Sequence, residues 1–387
     1  MKSLLKCSGQ SVVVGLDSQA LLITEDNAYE LNPDPTIDHK EATESKSTSS
    51  DAEEDDGNDD TPQQRSRSIE CVAISHCPHD GSLWCATSRA DKSLDIYRES
   101  QWQRSYTTPK RTSCITFAWN PVGMILCGDL VGDATAFPIE GENRSGRLLL
   151  GHTASMLTDI QLAGKDSLLT ADRDEKVRVS SFPQTCIIKG YLLGHSAFVS
   201  CIDVINQSDI VVTCSGDHTL RLWTLSTYTE IAREDLGEKL PIQVSATADL
   251  VTVIFHNTNA IHVYSVPELK LVQTLNSDSQ PIALTFQERN MLVLSKEPTL
   301  LKMYSLNNHK RFEEASLHTA IETYLNSKTF NLPTSILEVD SNGQLKMGKR
   351  QETRTSNPAD IPWNRVERIQ KARDSRNRRN RKRKAGL

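Results

Sequence analysis

GHSAFVSCIDVINQSDIVVTCSGDHTLRLW, residues 194–223, contains three short runs of β-branched and apolar residues: FVSCIDV, IVVTC and TLRLW. Asn, Gln, Ser, Asp and Gly separate them, which is the punctuation of strands and tight turns rather than of helices. The stretch opens on Gly194-His195 and closes on Trp223-Thr224. A buried polar side chain needs a partner, so these residue types predict a hydrogen-bonded chain. In it His195 donates to Asp217 in the tight turn, a strand Ser or Thr joins, and Trp223 closes the network.

This is the pattern of a WD repeat, with Thr224 in place of the usual Asp, and it recurs. The residues that end each third strand are Tyr97, Phe137, Ser180, Trp223, Tyr264, Tyr304 and Met347, separated by 40, 43, 43, 41, 40 and 43 positions. That period belongs to propeller blades of four strands. Gly151-His152 opens a second recognisable blade, in which His152 is expected to pair with Asp174. The blades ending at Tyr97, Tyr264 and Tyr304 keep only the aromatic residue. The expected fold is an all-β, seven-bladed WD40-type propeller with a disordered acidic insertion and a disordered basic tail. Six blades fall within residues 69–306. The seventh is expected to combine N-terminal strands (11–14, 20–23) with the hairpin SILEVDSNGQLKMGK near 335–349, closing the ring and removing an open sheet edge. Residues 311–327 read as a short helix with Phe312, Leu317, Ile321 and Leu325 on one face. The domain plan is therefore 1–37 for strands of the closing blade, 38–68 for the insertion, 69–349 for the propeller and 350–387 for the tail.

The net charge of −6 over 387 residues conceals an asymmetry. Residues 38–60 hold ten acidic residues against two lysines, and residues 365–384 hold eleven basic residues against two acidic ones. The strong fields thus belong to two segments too polar to offset the entropy of ordering. Nine cysteines without a CxxC pair suit buried thiols in a reducing compartment. Cys77-Pro-His79 has no second pair at ligand spacing, so no metal site is expected. No apolar run is long enough to span a bilayer, and the run in MKSLLKCSGQSVVVGLD is too short for a secretory signal.

No catalytic pattern emerges. There is no GxSxG elbow, no HExxH and no dinucleotide-binding glycine run. GENRSGR (141–147) has phosphate-loop glycine spacing, but Arg147 stands where the lysine must be and no Ser or Thr follows. It reads as a turn between strands.

ADRDEKVRVS, residues 171–180, overlays CSGDHTLRLW, residues 214–223, so that Asp174 falls on Asp217, Arg178 on Arg221 and Ser180 on Trp223. It has lost the tryptophan and gained charge. As a bare turn it reads as solvated surface. However, DRDEKVRVS followed by Phe182-Pro183 and GYLLGHSAFVSCIDV (190–204) closely resembles the WD-repeat non-catalytic subunit of the eukaryotic tRNA (guanine-N7)-methyltransferase. GHTASMLTDIQL (151–162) and the turn Gly128-Asp129…Gly132-Asp133 with Phe137-Pro138 fit the same family, as do the length and the basic C-terminus. The resemblance covers roughly 69–306 and is strongest over 148–223.

The resemblance implies a non-enzymatic propeller that binds, stabilises and positions a separate catalytic subunit. That subunit holds S-adenosylmethionine, so this chain binds no cofactor. The heterodimer forms N7-methylguanosine in the tRNA variable loop, in the nucleus and compatibly in the cytoplasm, with no membrane involved. Carried over residue by residue, the partner-facing surface includes Arg173, Glu175 and Lys176 of the charged turn, and His195, Phe198 and Val199 of the GHSAFVS segment. The tail residues Arg376, Arg378, Arg379, Arg381, Lys382, Arg383 and Lys384 carry an independent expectation of phosphate contact, nuclear import or both. With no aromatic among them, any RNA contact should be blind to sequence. The alternative is a generic WD-repeat adaptor or scaffold for another nuclear complex, which the WD pattern alone supports equally.

Overall fold

The computed structural model describes residues 4–33 save 17, 25 and 26, residues 68–317 save 143, 144, 154, 206–208 and 297–299, residues 319–326, and residue 345. The described residues form 28 strands, numbered β1 to β28 in chain order, and one helix. Every four consecutive strands make one antiparallel sheet, giving seven blades. Blade 1 spans Leu5–Glu30, blade 2 Ile69–Thr107, blade 3 Thr112–Gly151 and blade 4 Leu157–Leu193. Blade 5 spans Val199–Asp235, blade 6 Pro241–Asn276 and blade 7 Pro281–Ala315.

The place of each strand in its blade follows from its residues. First strands ring a central channel and touch the first strands of the neighbouring blades. Second and third strands are largely covered on both faces, as in LWCATSR (Leu83–Arg89), which is buried throughout and whose one charge, Arg89, pairs with Asp95 at 3.2 Å. Fourth strands are outer edges and alternate, as in TEIARED (Thr229–Asp235). Between blades the core is continuous. Cys214, Leu220 and Leu222 of blade 5 pack on Val244, Val253 and Phe255 of blade 6. Each such side chain contributes about 1.5–3 kcal/mol when removed from water.

A polar device supplements this packing. On the first strand of blade 4, Asp159 accepts the backbone N–H of Ile202 in blade 5 at 2.8 Å. Asp203 of blade 5 accepts that of Ala246 in blade 6 at 2.8 Å. Gln243 of blade 6 both donates to the Leu284 carbonyl at 3.0 Å and accepts from its N–H at 3.1 Å. In blades 4, 5 and 6, one side chain thus clasps the next blade along the channel wall.

Two expectations are corrected. Blade 1 is complete within the N-terminal segment: β1 (Leu5–Ser8), β2 (Ser11–Leu16), β3 (Gln19–Ile23) and β4 (Ala28–Glu30) pair in that order. It needs no strand from 335–349, a stretch that lies outside the described residues apart from Leu345. Residues 312–315 are the outer strand β28 rather than the start of a helix, and α1 runs only over Thr319–Asn326. Phe312 is buried in the sheet, while Ile321, Leu317 and Leu325 pack against the core at the junction of blades 1 and 7. The acidic insertion, apart from Ser68, and the basic tail lie outside the described residues.

Candidate docking rim

On one rim of the propeller, the crossing from blade to blade passes the turn between second and third strands. In blade 5 the rim is fixed by a directed chain of hydrogen bonds. Trp223 Nε1 donates to Thr213 Oγ1 at 2.8 Å, and Thr213 Oγ1 lies 2.7 Å from His195 Nε2. His195 Nδ1 lies 3.0 Å from Asp217 Oδ2. Because the Asp217 carboxylate can only accept, His195 donates to it from Nδ1, and Nε2 of the neutral ring accepts from the Thr213 hydroxyl, which in turn accepts from Trp223. Burial disfavours the imidazolium and holds His195 below its ordinary value, although Asp217 works the other way. Burial opposes the charge on Asp217, but hydrogen bonds from His195, Thr219 and the Ser196 backbone outweigh it and hold the carboxyl below the usual range.

Blade 4 repeats the motif with a different acid. His152 Nδ1 lies 2.7 Å from Asp172 Oδ2, and Nε2 lies 2.8 Å from Thr170 Oγ1. The expected partner, Asp174, stands two residues farther on with its side chain 45% exposed, whereas that of Asp172 is fully enclosed. Asp172 also accepts the Asp174 backbone N–H at 2.8 Å and pairs with Lys176 Nζ at 3.0 Å. Where blade 5 has Trp223, blade 4 has the small, buried Ser180. Arg178 fills the adjoining space, donating to Ser180 Oγ at 2.9 Å and to the Thr185 carbonyl at 3.0 Å.

The charged turn is geometrically ordinary. Glu175 has φ 73°, matching Lys92 at 75° and His218 at 62° in the same turn of blades 2 and 5. Its backbone is therefore set by the blade and not by the charged side chains. Glu175 is exposed, and Arg173 and Lys176 are half-buried. Arg173 Nε lies 3.7 Å from Asp174 Oδ1.

The second half of the expected surface is not a surface. Phe198 and Val199 are fully buried and His195 is nearly so. Phe198 lies over Gly216, where an added Cβ would come within 2.4 Å of its ring. These residues shape the rim from beneath. The exposed residue near them, which sequence reasoning passed over, is Leu193, the last residue of β16 (Ile188–Leu193) and the register partner of Lys176. Its place at the outer end of an edge strand, just before Gly194-His195, was the available signal.

Nothing in this rim resembles a catalytic constellation. Among the described residues no group of three or more His, Cys, Asp or Glu is placed to hold a metal ion, and no helix is long and apolar enough to cross a membrane. The central channel, about 390 Å³, is lined by Lys6, Asp203, Gln161 and Gln243 among others. Of its acids, Asp203 is already engaged in the clasp to Ala246. The tail residues Arg376 to Lys384 lie outside the described residues.

Comparison with solved structures finds the same architecture in a chain of the crystal structure of the mitotic checkpoint complex. The TM-score is 0.60 at 16% identity, covering 79% of this chain and 90% of that one, which is a likeness of fold alone. Among curated proteins, the tRNA (guanine-N(7)-)-methyltransferase non-catalytic subunit wuho of Aedes aegypti is 27% identical over 325 residues, 75% of this chain and 79% of that protein. The human non-catalytic subunit WDR4 is 39% identical over 147 residues, 37% of this chain and 35% of that protein. The family model of the tRNA methyltransferase TRM82 WD40 domain matches residues 140–357, more than half of the chain and inclusive of both histidine networks and the charged turn. On that match, the chain belongs to the TRM82 WD40-domain family of tRNA methyltransferase proteins.

Proposed function

We propose that this chain is the non-catalytic subunit of a heterodimeric tRNA (guanine-N7)-methyltransferase. In this reading it binds, stabilises and positions a catalytic subunit that holds S-adenosylmethionine and methylates N7 of a guanosine in the tRNA variable loop. The chain itself takes no cofactor, and it works in the nucleus. The observation that carries the reading is the family match, which runs through the blades bearing the charged turn. The names of the insect and human relatives support it.

The rim supports a docking role for Arg173, Glu175 and Lys176. The turn is held from below by the Asp172–His152 network, so its side chains are presented on a rigid base. A guanidinium can clamp a carboxylate with two parallel hydrogen bonds, which an ammonium cannot. Truncating one member of a desolvated charge pair across an interface costs about 2–5 kcal/mol. His195, Phe198 and Val199 act in this reading as support and not as contacts.

The test is co-purification with the cognate methyltransferase, followed by guanine-N7 methylation of a tRNA transcript with and without this chain. Activity should rise with the chain, and Arg173→Ala should weaken capture of the enzyme. Full capture by the Arg173→Ala variant would remove the turn from the interface. Failure of the native chain to bind the enzyme or alter its activity would overturn the reading.

A further inference from the structure

Leu193 closes the outer edge strand of blade 4. Its side chain is 65% exposed, while its neighbour Leu192 is buried. The backbone that carries it is held on both sides. Leu193 pairs in register with Lys176. The next residue, Gly194, is so closely packed that an added Cβ would lie 2.5 Å from Arg221 Nη1 and 3.1 Å from the Trp223 ring. His195, one residue farther on, is locked by Asp217 and Thr213.

We infer that Leu193 is the apolar anchor of the docking rim, seated in an aliphatic pocket of the methyltransferase subunit beside a carboxylate that meets Lys176 and Arg173. The inference rests on the proposed function and extends its interface from the charged turn to the edge strand. An exposed leucine on a fixed backbone offers burial without the cost of ordering a loop, which is the character of an interface hot spot. Cross-strand partners stand about 5 Å apart at Cβ, so Leu193 and Lys176 form one compact unit of apolar centre and charged border. The same chemistry argues for protein and against RNA. Leucine has no ring on which a base can stack, and the turn beside it, with Arg173 and Lys176 balanced by Asp174 and Glu175, has no net positive charge to attract phosphate.

The experiment titrates the purified methyltransferase subunit with the full-length chain and its variants. The free variants are first checked for native thermal unfolding. Leu193→Asp should weaken binding at least tenfold, and Leu193→Met should stay within about twofold because the pocket accepts an aliphatic side chain of similar volume. Ile231→Asp is the control, since Ile231 is a 43% exposed apolar residue on the outer strand of blade 5; it should also stay within about twofold. Native-like binding by Leu193→Asp would overturn the anchor while leaving the proposed function standing. Equal loss from Ile231→Asp would also overturn it, by showing a general response to added charge. A native chain that fails to bind the subunit would overturn both. Loss of tRNA crosslinking at this rim in Leu193→Asp, with protein affinity unchanged, would assign the residue to RNA and overturn the inference.

Discussion

Asp172 and Asp174 stand two residues apart in one turn, yet their surroundings could hardly differ. Asp172 is enclosed, accepts from His152 and from the Asp174 backbone, and pairs with Lys176. Asp174 faces water beside Arg173. Asp172→Ala should therefore destabilise the chain by roughly 2–4 kcal/mol, because it strands the buried His152 donor and leaves the Asp174 amide and Lys176 without their acceptor. Asp174→Ala should stay within about 0.5 kcal/mol. Thermal or denaturant unfolding of the two variants decides the matter, and equal losses would refute the assignment. The acid limb of stability has the same origin. Burial works against the charge of Asp172, but hydrogen bonds from His152 and Lys176 hold its carboxyl below the usual range. A depressed value contributes stability that is present above about pH 4 and lost as pH falls further. Overlaying the two blades pointed to Asp174 because WD turns usually place the acid there. A histidine can be reached from the strand end as well as from the turn, and spacing alone does not choose between them.

The ring of first strands carries the clasps, and one of them titrates in the opposite sense. Burial pushes the Asp203 carboxyl up to about 6, against the ammonium of Lys6 and the amides of Ala246 and Val204; the carboxylate of Asp159 adds to the rise. Lys6 in turn is held protonated by Asp159 and Asp203 despite its burial. Since the folded value of Asp203 lies above the unfolded one, its contribution to stability is full below about pH 4 and is lost as pH rises through 6. Asp203→Asn removes that titration. The melting-temperature difference between variant and native protein should therefore move in the variant's favour from pH 4 to pH 7, and a pH-independent difference would refute the account. These clasps were not read from the sequence, although Asp159, Asp203 and Gln243 recur at nearly the blade period. A polar residue inside a strand looks like an ordinary outward position until the channel that receives it is known. The middle strands were legible because both faces are covered and their runs are unbroken. The outer strands were not. AYE (Ala28–Glu30) is short and half-polar, so from sequence alone blade 1 reads as short of strands and the hairpin near 335–349 is the natural candidate to complete it. In FEEA (Phe312–Ala315), the apolar spacing from Phe312 through Leu317 to Ile321 imitates a helix that begins only at Thr319.

Closure is a property of the whole ring, and here it depends on side chains. Each junction between consecutive blades is crossed by the chain itself, whereas among the described residues no segment leads from the last strand of blade 7 directly into the first strand of blade 1. That junction is held by a common core in which Leu4, Leu5 and Leu16 meet Ile282, Leu292 and Leu294. The Cys7 thiol donates to the Phe286 carbonyl across the same junction. Helix α1 reinforces it after the last strand, with Ile321 buried in that core and the Tyr324 hydroxyl donating to Glu30 Oε1 at 2.9 Å. A junction without a covalent crossing should open before the others, since local opening begins where the fewest constraints must be released together. Ile321→Ala should cost roughly 2–4 kcal/mol if the cavity fails to collapse. The larger consequence concerns where that loss appears. Native-state hydrogen exchange should quicken at the amides of Val12–Leu16 and Leu21–Ile23 in blade 1, while those of Ile210–Ser215 in blade 5 keep their native protection. A uniform rise across both blades would show that the ring unfolds as one unit and that α1 is no clasp. A rise confined to blade 1 would show that the propeller opens at this junction, on the far side of the ring from the rim proposed to hold the enzyme.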